Sequence, residues 1–365
     1  MKIVVLAAGT RTERAVSIVS GTGVCKALRE LGHDAILVDV FFGWKEADLT
    51  GGADKAFQGP NMFTEGDGSY DVDKAAAYIH SFDSQLEEAK KSRKSFFGPK
   101  VLELCDAADF VFLALHGSNG EDGRIQAAFE LMGIPYSGTD YISSAIAMDK
   151  SRTKQVFNAE GVPTPQGVTI YRDHRDPDQP MTAESLGLEL PVIVKPCCGG
   201  SSVGCTICRT EEDVKAGIDL AFSLEPSAVV EEFIEGGEYT DLVMDGKAYP
   251  IVEIRPKDGY YDYKNKYTAG STVETCPAPL PPEKTAEMQR IAVDAYKAMG
   301  ISGYARFDFL IRNSDGRIFC LEANTLPGMT PTSLIPQETA AIGIGYRELC
   351  QMLVDLSLKN YKKSF

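Results

Sequence analysis

Chemistry concentrates in the stretch 304–330, YARFDFLIRNSDGRIFCLEANTLPGMT. Two short apolar runs flank Asn313-Ser314-Asp315-Gly316, and Asp-Gly between strand-like runs is a hairpin signal. Side chains alternate faces along a strand. Arg306 and Asp308 therefore point one way, and Ala305, Phe307 and Phe309 the other. On the returning strand Glu322 and Asn324 share a face, so in-register pairing brings Asp308, Glu322 and Asn324 together. Two carboxylates and an amide oxygen are hard donors, suited to Mg²⁺ that keeps waters and shares phosphate oxygens. A solvated polar face of an antiparallel sheet would carry the same residue types. The continuation separates the two cases. Glu322-Ala-Asn324 runs straight into Thr325-Leu-Pro-Gly328-Met-Thr330, a loop of free backbone N–H groups, and a metal beside such a loop points to phosphate chemistry.

A second stretch points the same way. Gly199-Gly200-Ser201-Ser202-Val203-Gly204 follows a strand pattern over 191–196 that ends in Lys195-Pro196. Glycines let backbone N–H groups approach phosphate closely. No Lys-Ser/Thr follows them, so this is not a Walker A loop. Alone, such a loop is as readily a structural turn. Lys195 before it and the acidic hairpin after it make a nucleotide-phosphate site the better reading.

Composition sets limits on partners. The chain has 365 residues, 44% of them hydrophobic, enough for two or three domains. The formal charge of −15 speaks against non-specific binding to nucleic acid or to an anionic membrane. An anionic substrate must then be met by a local cluster of Lys and Arg. Met1-Lys2 runs directly into a strand pattern, so no signal peptide is expected, and no run is apolar enough to span a bilayer. Nine cysteines, an odd count, read as reduced thiols of a cytoplasmic protein.

The elements that position these residues alternate between strand and helix, which gives an α/β class with α+β elements. Residues 2–7 form an apolar run, read as a buried parallel strand. A helix over 17–31, stopped by Gly32, and a strand over 35–38 follow. This start is Rossmann-like but lacks G-x-G-x-x-G, so no dinucleotide site is assigned. Residues 51–70 read as a surface loop and 75–94 as helical, together an elaborated edge without chemistry. A strand over 109–115 delivers His116-Gly-Ser-Asn-Gly-Glu-Asp-Gly123 at its carboxyl end, where open α/β sheets bind ligands. Ile125, Ala128, Phe129 and Met132 mark a helix stopped by Gly133 and Pro135. One helix is expected over 143–160. It contains Lys150, a lone lysine that says little by itself. Strands follow over 191–196 and 228–234, then a hairpin over 241–254 around Asp245-Gly246. The aperiodic, Tyr-rich segment 257–277 reads as a lid or binding loop. A helix over 282–299 and a closing helix over 337–359 complete the chain. Domain boundaries are expected near 136 and 230, giving 1–136, 137–230 and 231–365.

In order and spacing, several motifs resemble the D-alanine–D-alanine ligases, which have the three-domain ATP-grasp fold. They are Glu13-Arg14 with Val16-Ser17, Leu115-His116-Gly117, Gly120-Glu-Asp-Gly123, Met148-Asp-Lys150, and Lys195-Pro196 with Gly200-Ser-Ser-Val-Gly204. Further along come Tyr261-Asp-Tyr263 with Lys266-Tyr267, Arg306-x-Asp308, and Leu321-Glu-Ala-Asn-Thr325 with Pro327-Gly-Met-Thr330. The match runs from the first strand to the last helix and is poorest over 42–100. The resemblance implies ATP and Mg²⁺, with two ions and Mn²⁺ as a substitute. It implies that Lys150 and Lys195 neutralise phosphates while Ser201 and Ser202 close over them. Glu231, Glu232, Phe233 and Ile234 would meet the adenine and Glu238 the ribose, and Asp308, Glu322 and Asn324 would hold the metal. The first D-alanine would be activated as an acyl phosphate and attacked by the amine of the second. Arg306 and the Gly328 N–H would stabilise the oxyanion. Glu13 would pair with the first ammonium, with His116 nearby, and Ser333 and Leu334 would meet the second carboxylate. Glu13, Ser201 and Tyr267 would form one hydrogen-bonded set, and Lys266 would reach the transferred phosphate as the lid closes. The resemblance also implies a homodimer.

Some positions depart from the pattern. Arg11 stands where these ligases usually carry a small residue, which places an extra cation near the first-substrate pocket or on its rim. Cys197-Cys198 replaces larger polar residues. With Cys205-x-x-Cys208 it puts four thiols close in sequence, but C-x-x-C on one side only is a partial zinc signal, and small fillers of a dry loop are the simpler reading. His33, His80 and His174 read as surface residues. Two alternatives stand beside the ligase. One is another ATP-grasp carboxylate–amine ligase with a different D-amino acid or hydroxy acid as second substrate. The other is a nucleotide-binding regulator without catalysis, against which Lys195, Arg306, Asp308, Glu322 and Asn324 all argue. Ligases that make D-alanyl-D-lactate carry His at the lid position of Tyr267, so Tyr267 is expected to favour an amine nucleophile. Turnover with D-lactate at neutral pH should be well below that with D-alanine; equal turnover would contradict the assignment.

Overall fold

The structure, a computed structural model, describes residues 1–10, 13–45, 47, 49, 54–58, 83–174, 181–200, 202–257 and 271–361. Arg11, Ser201, Lys266, Tyr267, His80 and most of the expected lid lie outside the described residues. The chain divides into two compact units. One comprises Met1–Ser144, Ser302–Ala305 and Thr325–Phe365; the other comprises Ala145–Ile301 and Arg306–Asn324.

The first unit is built on a parallel sheet ordered β2-β1-β3, with β1 at Lys2–Ala7, β2 at Asp34–Asp39 and β3 at Phe110–Leu113. Ile3, Val4, Val5 and Leu6 are wholly buried, as an unbroken apolar run in a covered parallel sheet should be. The helix Arg14–Glu30 packs on this sheet, and Gly21 sets the approach: a Cβ there would lie 2.7 Å from Ala7 Cβ and 2.8 Å from Leu37 Cδ1. Ser17 ties the ends of β1 and β3 together. Its Oγ accepts from Ala8 N at 2.7 Å and donates to Ala114 O at 2.5 Å. Both strands thus release their loops, 8–13 and 114–123, at the same edge. The closing helix expected over 337–359 is instead two helices, Leu334–Ala340 and Tyr346–Tyr361, because Gly343 takes φ +84° between them. Residues 54–58, expected in a loop, form the short helix Asp54–Gln58, while the helix expected over 75–94 is described as Asp83–Ser92.

The second unit contains two antiparallel sheets. The smaller is ordered β4-β7-β5-β6, from Gly167–Tyr171, Ser227–Glu232, Val192–Pro196 and Thr206–Cys208. Its core face, with Val192, Val194, Cys208 and Val230, packs on the helix Glu211–Leu224. That helix starts with a Thr210/Asp213 capping box. The larger sheet is ordered β11-β10-β8-β12-β13, from Thr272–Thr275, Val252–Pro256, Gly236–Met244, Tyr304–Arg312 and Ile318–Asn324, with β9 (Lys247–Ala248) beside β8. Asp245 and Gly246 both take positive φ, +49° and +75°, the pairing that a two-residue hairpin turn requires. Thr272–Thr275 pairs with β10, so the end of the expected lid segment is strand. The expected helix over 143–160 is two helices, Tyr141–Met148 and Lys150–Glu160. Asp149 breaks it: its backbone is extended and its carboxylate accepts from Ser151 N and Arg152 N at 2.9 and 3.2 Å.

Asp241 on β8 is wholly buried, and its Oδ1 accepts from Tyr249 N at 3.2 Å. Its Oδ2 has no hydrogen-bond partner, and burial raises its pKa well above the usual carboxylate value. The protonated form is therefore the one that fits the fold. Its stabilising contribution is complete below the unfolded carboxylate pKa and is lost as pH rises through the folded value. Asp241→Asn keeps the acceptor and removes the charge. The difference in Tm between variant and wild type should grow in the variant's favour from pH 4 to pH 8; a constant difference would contradict this.

Candidate nucleotide and substrate site

Within the second unit the two sheets face one cavity of about 420 Å³, a size typical of small-molecule sites. Strand alternation decides which residues reach it. On the small sheet Ile193 pairs with Ile207 and with Glu231, so these three share a face, and Lys195 joins them two residues on. All four line the cavity, while Val192, Val194 and Val230 point into the core. Gly167 lies opposite Glu231, and a Cβ there would come within 2.7 Å of Glu231 Cβ. On the large sheet Glu238, Ile254, Asp308 and Leu310 line the opposite wall. Glu232, Phe233, Ile234 and Ser202 also line it. The apolar residues Ile193, Ile207, Leu310 and Leu321 line the same cavity as the charged residues.

The acidic hairpin pairs as its sequence requires. Arg306 lies opposite Asn324 and Asp308 opposite Glu322. The register then shifts, because Phe309 pairs with Cys320, which leaves Leu321 as an extra residue on β13. Simple alternation would put Leu321 and Glu322 on opposite faces; through the bulge both reach the cavity. The Asp308 carboxylate accepts from Arg306 Nε and Nη2, each at 2.8 Å, from Thr240 Oγ1 at 2.8 Å and from Asn324 Nδ2 at 3.0 Å.

The lysines meet the other acids. Lys150 opens its helix, and its Nζ lies 3.2 Å from Glu322 Oε2 and donates to Gly199 O at 2.7 Å. Lys195 Nζ lies 2.5 Å from Glu231 Oε1, and Lys154 Nζ lies 2.6 Å from Glu231 Oε2. Burial opposes the charge on every member. At Lys150 and Lys195 it is outweighed by Glu322 and Glu231, and both pKa values rise. At Glu231 it is outweighed by Lys195 and Lys154, and the carboxyl falls below its usual value. At Lys154 burial prevails and the pKa is lowered.

The thiols are free. Cys197 and Cys208 are buried, and Cys205 lines the cavity. Burial pushes the Cys197 thiol up to about 11, as expected of a filler. Among the described residues no three His, Cys, Asp or Glu side chains cluster to hold a metal. The hairpin strands carry two carboxylates, Asp308 and Glu322, and one amide, Asn324.

In the first unit a second group assembles. Glu13 precedes the first helix, and its Oε2 lies where a Cβ on Gly117 would come within 2.7 Å. His116 Nδ1 donates to Leu326 O at 2.9 Å, which fixes the ring orientation. Glu121 accepts from Gly117 N at 2.8 Å and from Leu326 N at 3.3 Å. Met329 N donates to Ser20 Oγ at 3.2 Å, and Tyr346 Oη donates to Met329 O at 2.5 Å. Gly328 is packed so closely that a Cβ would meet Ser333 Oγ at 3.0 Å. Ser333 occupies the N-cap position of the helix that Leu334 begins without a side-chain capping bond, and its Oγ lies 2.7 Å from Thr330 Oγ1.

The chain is similar to known proteins along its length. A family model described as the D-ala D-ala ligase N-terminus matches residues 2–139, and one described as the D-ala D-ala ligase C-terminus matches residues 156–355. The chain belongs to the D-alanine–D-alanine ligase family. The ligase of Lacticaseibacillus casei is 39% identical over 99% of this chain and 97% of its own length. That of Pediococcus pentosaceus is 38% identical over 97% of each. A crystal structure of the D-alanine–D-alanine ligase from Bacillus anthracis superposes with a TM-score of 0.72 at 29% identity, covering 100% of both chains. Another, complexed with ATP, gives 0.72 at 28% over the same coverage. The fold is accordingly ATP-grasp.

Sequence reasoning passed over Lys154, Thr240, Glu121 and the bulge. Lys154 had a signal, since it lies four residues after Lys150 and so on the same helix face. Glu121 sits inside a quoted motif but shows its use only when residues 205 apart in sequence meet. Glu121→Ala removes two hydrogen bonds that fix the ligase loops at 117 and 326. It should lower stability by about 1.5–3 kcal/mol, the range for hydrogen bonds to a charged partner. Urea unfolding measures this, and an unchanged midpoint would contradict it.

Proposed function

We infer that the protein joins two D-alanine molecules at the expense of ATP, forming D-alanyl-D-alanine for peptidoglycan precursor synthesis. The observation that carries this is the convergence of Lys150, Lys195, Asp308 and Glu322 on one cavity, in a chain that matches the family along its length. Ile193, Ile207, Leu310 and Leu321 would clasp the adenine, with Glu231, Glu232, Phe233 and Ile234 at its edge and Glu238 at the ribose. Lys150 and Lys195 would neutralise phosphate oxygens. Ser201 and Ser202 would cover them.

The donor set fits magnesium. Asp308 and Glu322 are opposed carboxylates on one wall, and Asn324 adds an amide oxygen, all hard donors. Two ions are proposed, with Mn²⁺ able to replace Mg²⁺. When bound, the metal would offset charge on the transferring phosphoryl group. Thr240 and Asn324 hold Asp308 in place for that role.

At the substrate end, Glu13 would pair with the first D-alanine's ammonium and His116 would border it. Arg306 is anchored on Asp308 through Nε and Nη2, and with the Gly328 N–H it would stabilise the tetrahedral oxyanion. Ser333 and Leu334, at a helix N-terminus, would receive the second carboxylate. Glu13, Ser201 and Tyr267 would link loop, glycine turn and lid. Lys266 would reach the phosphate as the 257–277 segment excludes water. The division at 136 and 230, a cytoplasmic location and a homodimer belong to the same reading and rest on the resemblance. Fractionation and sedimentation decide the last two. Among the described residues no helix is long and apolar enough to cross a membrane.

Phosphate release from ATP should require D-alanine and Mg²⁺, and the product should have the mass of the dipeptide. Asp308→Asn should lower kcat by about 100-fold or more, the scale of losing one electrostatic group at a reacting centre. Release driven better by another amino acid would replace the substrate. ATP binding without amino-acid-dependent release would make the protein a nucleotide-binding regulator.

A further inference from the structure

Two lysines share one buried carboxylate, and only one of them faces the cavity. Glu231 is 3% exposed, with Lys195 on Oε1 and Lys154 on Oε2. Lys195 lines the cavity. Lys154 is 7% exposed and is fixed by its other donors, to Pro165 O at 2.7 Å and Thr164 Oγ1 at 3.2 Å. An ammonium has three N–H groups, so these contacts and Glu231 occupy all of them.

We propose that Lys154 is a positioning residue: it is the resident counter-ion of Glu231, and this frees Lys195 to transfer from that carboxylate to a nucleotide phosphate. A buried carboxylate stripped of its partner loses the interaction that replaced its hydration. Were Lys195 the sole partner of Glu231, moving it to a phosphate would strand that charge. Lys154 removes the penalty because it stays on the other oxygen. Glu322, which Lys150 meets, would pass to the metal instead. The inference rests on the nucleotide reading above and names a group that acts through another residue and touches no substrate itself.

Calorimetric titration with ATP and with adenosine, both in Mg²⁺, tests it on the full chain. Lys154→Met should weaken ATP binding by about tenfold or more, since Lys195 is then held by Glu231. Adenosine, which has no phosphate, should bind within about twofold of wild type, because no interaction it makes has changed. Adding Glu231→Gln to Lys154→Met should restore the ratio of ATP to adenosine affinity to within about threefold of wild type, because the competing charge is gone and any change at the adenine edge affects both ligands alike. Equal losses for ATP and adenosine, or no recovery in the double variant, would overturn the inference in favour of a packing role. If Lys154→Met does not fold, Glu231→Gln alone is compared with the double variant. The two should bind ATP equally, and a further loss on removing Lys154 would overturn the proposal. A wild-type protein that binds no ATP would instead overturn the nucleotide reading, and this inference with it.

Discussion

Charge taken out of water must find charge of the other sign. Around the cavity of the second unit, each of these buried charges meets one of the opposite sign, most of them from a different element. Lys150 from a helix start meets Glu322 from a hairpin, Lys195 and Lys154 meet Glu231, and Arg306 forks onto Asp308. Buried pairs of this kind add little net stability, but removing one partner is costly. The pairing holds Lys150 and Lys195 charged on the cavity wall against the pull of burial. In the function proposed above, a phosphate oxygen and a divalent cation would enter by exchange of partners.

The fold serves that exchange by fixing where each strand presents its side chains. On the small sheet, alternation alone separates the Val192, Val194 and Val230 core face from the Ile193, Lys195 and Glu231 cavity face. On the large sheet, alternation places Asp308, and a one-residue bulge brings Leu321 beside Glu322. Gly167 makes room for the Glu231 side chain. In the first unit, the ends of two parallel strands are stitched by Ser17, and Glu121 ties the 117 loop to the 326 loop. Each unit thus builds its own group of donors before any ligand is considered.

Much of this was legible in the sequence, and the limits have physical causes. The hairpin register followed from Asp315-Gly316 and the period of two, so the meeting of Asp308, Glu322 and Asn324 could be derived. The parallel strands followed from unbroken apolar runs. Helix interruptions were harder to read. Asp149 stops one helix with its side chain, and in a periodic segment such a residue resembles any other polar position. The Gly343 break was overridden by the apolar spacing on either side. The bulge left no mark, since Leu321 is an ordinary strand residue. The spacing of Lys154 from Lys150 marked a shared helix face but not its pairing with Glu231, 77 positions away, and Thr240 left no mark because its partner Asp308 is 68 positions away. Spacing along the chain cannot disclose such contacts.

Whether these buried ion pairs are placeholders for nucleotide phosphate and metal is decided by a crystal structure with a non-hydrolysable ATP analogue and Mg²⁺. It should show Lys150 and Lys195 on phosphate oxygens, Glu231 still on Lys154, and Asp308 and Glu322 on Mg²⁺ at about 2.0–2.1 Å. An analogue bound with the Lys150–Glu322, Lys195–Glu231 and Arg306–Asp308 pairs all intact, and no metal on the hairpin, would contradict it.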